Sequence, residues 1–168
     1  MTKPIRELKR ITTEYVGSED RFRLTGQLSE EEVVEVWLTQ RLLLKLLPHH
    51  LNWLEKQSDS SLPKEIVQSF AQQAAKAKLK KEAPVTSKPE TVSWIAHAVD
   101  LAPGDKAFQM AFKGKEDAAA LRLNPTQLRQ WLNIVRQIWQ QASWPMDIWP
   151  EWMETSDSDK SNDNRAVH

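Results

Sequence analysis

Apolar residues alternate with polar ones at Val34, Val36 and Leu38, and the spacing then lengthens to that of a helix through Leu42, Leu43, Leu46, Leu47, His50, Leu51 and Leu54. The change of period falls at Thr39, whose hydroxyl is suited to accept from a first-turn N–H, so the pattern predicts a strand running into a capped helix. Pro48 sits inside that helix, where it lacks a donor and crowds the preceding turn, and a kink is expected there. The same pattern returns eighty-five positions later. Ala119, Leu121 and Leu123 alternate, Asn124 stands where Thr39 does, and Leu128, Trp131, Leu132, Val135, Ile138, Trp139 and Ala142 continue at helical spacing.

Upstream of each unit lie two shorter alternating runs. Ile11, Thr13 and Tyr15 lead to the turn residues 17–20, after which Phe22 and Leu24 return. In the second half Ile95, His97, Val99 and Leu101 form one predicted strand, Pro103, Gly104 and Asp105 turn, and Phe108, Met110 and Phe112 return. Ile11, Tyr15, Phe22 and Leu24 stand eighty-six positions before His97, Leu101, Phe108 and Met110. The expected fold class is α+β: two pseudo-repeated β-β-β-α halves, residues 11–57 and 91–142, related by a pseudo-twofold. Each is expected to be an antiparallel sheet covered by its own helix.

Residues 58–90 are read as a connecting helix and linker. The helix spans about residues 63–81, with Ile66, Phe70, Ala71, Ala74 and Ala75 as a narrow face for close packing and Lys76, Lys78, Lys80 and Lys81 at its C-terminal end. Residues 1–10 read as a basic, solvated leader. Residues 154–168, rich in Ser, Asp and Asn, are expected to be disordered.

Composition narrows the function classes. Lysine plus arginine and aspartate plus glutamate both number 23, so no net charge steers the chain to nucleic acid or an anionic membrane. There is no cysteine, hence no disulfide and no thiolate chemistry, which fits the cytoplasm. No window approaches the roughly 18 apolar residues of a membrane span. His49 and His50 are adjacent and diverge on a helix, His97 falls on an apolar strand face, and no metal, phosphate-loop or nucleophile motif appears. Carboxylates at Glu14, Asp20, Asp100 and Asp105 remain for acid–base work, but turn chemistry accounts for Asp20 and Asp105. No catalytic residue, metal ligand or cofactor is assigned.

Residues 143–153 break the periodic pattern. Trp144, Trp149 and Trp152 cluster there, with Trp-Pro steps at Pro145 and Pro150 that limit backbone freedom. Two readings stand: the rings dock on a partner, or they fold back over this domain. Asp147, Glu151 and Glu154 make the segment acidic, so the matching surface is expected to be basic, with Arg129 and Arg136 of the last helix as an internal candidate. The expected function is a non-catalytic intracellular adaptor or protein-interaction protein whose partner is another protein or a second copy in a homodimer. Its partner-binding residues are Trp144, Trp149, Trp152, Arg129 and Arg136. The alternative is a nucleic-acid-binding accessory protein, for which Arg21, Arg23, Arg41, Lys45 and Arg122 add basic positions; an enzyme is third.

Overall fold

A computed structural model describes residues 4–58 and 61–154, so the expected disorder of the C-terminal tail lies outside the described residues except for Glu154. The first half comprises β1 (Arg6–Glu7), β2 (Arg10–Val16), β3 (Arg21–Gln27), β4 (Val33–Leu38) and α1 (Gln40–Lys56). Helix α2 (Lys64–Ala77) follows. The second half runs through β5 (Val92–Ile95), β6 (Ala98–Pro103), β7 (Phe108–Lys113), β8 (Ala118–Leu123) and α3 (Pro125–Gln141), and a 3-10 turn, Met146–Ile148, lies beyond. The protein is α+β, and among the described residues eight strands form two four-stranded sheets.

The capping residues act as their chemistry predicts. Thr39 Oγ1 accepts from the Leu42 N–H at 3.1 Å, and Asn124 and Gln127 form a reciprocal capping box at 2.8 and 3.0 Å with Pro125 in the first turn. Helix α1 runs unbroken through Pro48, which is exposed.

The sheets depart from the expected halves in one respect. Their orders are β1-β8-β7-β6 and β2-β3-β4-β5, so each contains three antiparallel strands of one half and the first strand of the other, laid parallel. Arg6 pairs with Ala119 just as Val92 pairs with Val34. The predicted solvated leader is thus partly a strand, and Leu8 behind it is 4% exposed. The single strand expected from Ile95 to Leu101 is two strands in different sheets, joined by a corner at Ala96 and His97.

Both corners have the same construction. Leu8 N–H donates to the Ala120 carbonyl at 2.7 Å and Lys9 N–H to that of Gln27 at 2.7 Å; Ala96 N–H donates to Trp37 at 3.0 Å and His97 N–H to Lys113 at 2.8 Å. In each case consecutive donors serve different sheets. A glycine lies beneath each crossing: a Cβ on Gly26 would come 2.5 Å from Leu8 Cδ2, and one on Gly114 would come 2.9 Å from the Trp94 ring. Close approach of the Leu8 side chain at one corner, and of the Trp94 ring and Ile95 carbonyl at the other, favours glycine at these positions; torsional freedom does not enter.

The hairpins correct the expected register. Tyr15 faces Phe22 across six residues, whereas Pro103 faces Phe108 across four. Strands β2 and β6 therefore match eighty-eight positions apart, so that Val99 and not His97 corresponds to Ile11, while β3 and β7 keep the offset of eighty-six.

The helices cross over as well. Helix α1 reaches the other half's sheet: His50 and Trp53 meet Phe108 in T-shaped contacts at centroid distances of 4.8 and 5.6 Å, and Trp53 Nε1 donates to the Gly104 carbonyl at 2.9 Å. In return Trp139 of α3 meets Phe22 edge-on at 6.2 Å, and Trp131 Nε1 donates to Thr13 Oγ1 at 3.0 Å. Phe22 and Phe108 are both fully buried in one shared core. His50 is also fully buried there, its Nε2 3.1 Å from Met110 Sδ and its Nδ1 without a hydrogen-bond partner. Burial, assisted by the charge of His49, pushes the pKa of His50 down from 6.5 to about 3.

Two outcomes follow for stability. Gly114→Ala is expected to cost about 1–3 kcal/mol in urea denaturation, because an indole ring and the Ile95 carbonyl oppose the new methyl, whereas Gly26→Ala costs less because the tip of Leu8 can rotate. For His50, the unfolded chain takes up a proton below about pH 6.5 that the folded chain refuses until about pH 3. Stability is therefore complete above pH 6.5 and falls as pH drops, by about 2 kcal/mol between pH 7 and pH 5. In His50→Leu that part of the pH dependence should vanish when urea midpoints are compared at the two pH values.

Candidate interaction surface

The tryptophan-rich segment folds back on its own domain. Trp144, Trp149 and Trp152 are 6%, 4% and 1% exposed. Trp144 stacks on Phe22 with ring centroids 4.7 Å apart and planes 7° from parallel. Its Nε1 donates to Asp20 Oδ1 at 3.0 Å, and Tyr15 Oη donates to the same oxygen at 2.8 Å. Those two hydrogen bonds, the Trp144 one foremost, hold the Asp20 carboxyl below its usual range. Trp149 meets Trp139 edge-on at 5.7 Å, and Trp139 Nε1 donates to the Pro145 carbonyl at 2.9 Å. The prolines fix the path of the segment, and its rings complete the side of the core that α3 leaves open. As placed here, the three rings are not a surface that a partner can reach.

The structure does bring Arg129 to this segment. Its guanidinium lies over the Trp152 ring at 5.5 Å. Arg129 is 5% exposed, and burial lowers its pKa to about 10, so it stays protonated at neutral pH. Arg136, 4% exposed, is also lowered by burial, with Glu154 acting the other way. Neither arginine lies on the solvated face of α3.

A buried cation calls for acceptors, and α2 turns one toward it. Arg129 donates from Nη2 to Gln68 Oε1, Gln72 Nε2 donates to the Arg129 carbonyl at 2.9 Å, and Gln130 Nε2 donates to the Ala75 carbonyl at 2.9 Å. Two of the three glutamines of α2 therefore face inward: Gln68 and Gln72 are each 1% exposed, while Gln73 is exposed. Of the apolar face expected to pack inward, Ala75 is 3% exposed and Ala71 half-buried, but Ile66 at 53%, Phe70 at 74% and Ala74 are exposed. The periodicity is present, but the helix is rotated so that Gln68 and Gln72 share the inner face with Ala71 and Ala75. The signal that could have revealed this is the second stripe, Gln68 and Gln72 one turn apart, opposite an arginine on the last helix.

Beyond α2, a cleft of about 630 Å³ opens between β2, α3 and residues 78–84. Lys9, Arg10, Lys78, Lys80 and Lys81 border it, and Glu82, 3.3 Å from Arg10, is the one carboxylate among its lining residues. The remaining basic positions named from the sequence lie elsewhere: Arg23 pairs with Glu14 at 2.8 Å and covers the Trp37 ring, and Arg41 and Arg122 are exposed. Among the described residues no group of three or more His, Asp or Glu side chains is placed to hold a metal ion, and no helix is long and apolar enough to cross a membrane.

No family model, curated protein or solved structure matches this chain.

The burial of the rings leads to a stability outcome. Trp149→Ala combined with Trp152→Ala removes two core side chains and the aromatic cover of Arg129, and should lower the unfolding free energy by at least about 3 kcal/mol in urea denaturation. Unchanged stability would place the segment outside the core.

Proposed function

We propose that this protein is a non-catalytic intracellular interaction module that presents the outer face of α2 to a partner protein, a second copy included. The supporting observation is the rotated helix: Gln68 and Gln72 are committed to Arg129, so Ile66 and Phe70 stand in solvent one turn apart. A phenylalanine 74% exposed on a regular helix, with an isoleucine beside it, is the geometry by which one helix docks into a partner's groove or against its own copy. This moves the expected docking surface from the tryptophan segment to α2. The tryptophans and arginines support that surface from below, since Trp152 covers Arg129 and Arg129 bonds to α2.

A second reading rests on the basic border of the 630 Å³ cleft, which suits phosphate contacts. The two readings respond differently to salt and to mutation. Phe70→Asp should leave thermal unfolding unchanged and abolish self-association in sedimentation velocity, or retention of a partner from native extract, with the effect persisting at high salt. If Phe70→Asp changes neither, while binding of a labelled single-stranded oligonucleotide falls steeply with salt and is lost in Lys80→Glu with Lys81→Glu, the nucleic-acid reading replaces the first.

A further inference from the structure

The cleft beside α3 has a counterpart beside α1, and among the described residues the chain supplies a third wall to only one of them. The cleft between β2 and α3 includes Ile11, Thr13, Trp131 and Ile134. A groove of about 270 Å³ between β6 and α1 includes Val99, Leu101, Leu46 and His49. These are the same positions under the offsets that relate the halves: eighty-eight for the strands, as the hairpin pairings set, and eighty-five for the helices, as their caps set. Two different elements agree on the match.

In the first cleft, residues 78–84 of the chain run past the outer side of β2. Arg10 donates from Nη2 to the Ala83 carbonyl, Glu82 pairs with Arg10, and the Val85 N–H donates to Thr12 Oγ1 at 2.8 Å, with Val85 8% exposed as the buried anchor. This edge strand is covered by a non-helical segment of its own chain. At the second groove, only α1 and residues 97–101 form the lining among the described residues, and β6 is the end strand of its sheet. The side chains that hold the intramolecular segment have changed as well: Ala98 replaces Arg10, and Asp100, engaged by Lys113, replaces Thr12. What the open groove offers instead is an apolar floor of Leu42, Leu46, Val99 and Leu101 with Lys45, His49 and His97 at its border, and no carboxylate among its lining residues.

We propose that the α1–β6 groove is a docking site for an extended, acidic segment of a partner protein, which lies beside the end strand β6 as residues 78–85, held by the Arg10 and Thr12 side chains, lie beside β2. Alternate apolar residues of that segment meet Val99 and Leu101, which are themselves spaced to one face of a strand, and its carboxylates meet Lys45, His49 and His97. The proposal rests on the interaction-module reading but uses a different surface, so Phe70→Asp should leave it untouched.

The test uses the full chain and a fluorescein-labelled heptapeptide alternating glutamate with valine and leucine, read by anisotropy. The lysine-for-glutamate peptide serves as the control. Wild type should bind the acidic peptide at least roughly tenfold more tightly than the basic one. Lys45→Glu combined with His49→Glu, both at exposed positions, should reverse that preference while thermal unfolding stays unchanged. Absence of binding to the acidic peptide, equal binding of both peptides, or a preference that survives the double substitution would overturn the proposal. A wild-type dimer that this double substitution converts to monomer would assign the groove to a second copy and also overturn it. Deletion of residues 155–168 that tightens peptide binding about tenfold would assign the groove to the chain's own tail, and the proposal would again fall.

Discussion

The reciprocal exchange of first strands joins what would otherwise be two small, incomplete domains. β1 closes one edge of the second half's sheet and β5 one edge of the first's, and at each corner successive N–H groups bond to different sheets. The helices repeat the exchange, with Trp53 on Phe108 and Trp139 on Phe22. Three short strands and one helix bury little apolar surface alone, and here even that helix reaches the neighbour's sheet. The buried side chains of the two halves form one cluster. Cooperativity across the whole described chain follows from the connectivity rather than from any one contact.

A second constraint propagates outward from Arg129. Burying a guanidinium under Trp152 calls for nearby acceptors, and α2 supplies one, Gln68 Oε1, to Nη2, while Nη1 has no hydrogen-bond partner among the described residues. That choice rotates the helix so that its two largest apolar side chains face water. Ile66 and Phe70 are thus exposed because of a polar contact on the opposite side of the same helix. The tryptophan segment, the buried arginine and the outer face of α2 form one mechanical chain, in which loosening the first would release the last.

Much of the local structure was legible in the residues. Period changes at Thr39 and Asn124 located both strand-to-helix junctions, and the alternating runs located the hairpins. Partnership was not legible, because period two states which face is buried and not which strand lies alongside. Arg6 and Glu7 carry no apolar signal, since their contribution is backbone hydrogen bonding to β8. The run from Ile95 to Leu101 alternates without interruption, yet the chain changes sheets within it, and only Gly114 beneath the corner marks the place. The tryptophans stand out as a unit, but sequence left their partner open; two nearby residues, Asp20 at positive φ and Phe22, provide the seat for Trp144. The orientation of α2 was hidden because its hydrophobic stripe is the stronger one, while the weaker glutamine stripe answers to a buried charge on another element.

The pairing of β1 with β8 also sets an order of events during synthesis. Arg6 leaves the ribosome over a hundred residues ahead of Ala119, its partner in the sheet, a delay on the order of ten seconds at ordinary elongation rates. Throughout that interval β2, β3 and β4 can form their hairpins, but the side chains of α3 that line the first half's core do not yet exist. The nascent first half therefore waits with Phe22 lacking its Trp139 and Trp144 cover, and final closure is a late, long-range step of the kind that slows folding. A holding chaperone or a slow stretch of message would act on this species rather than on the finished protein.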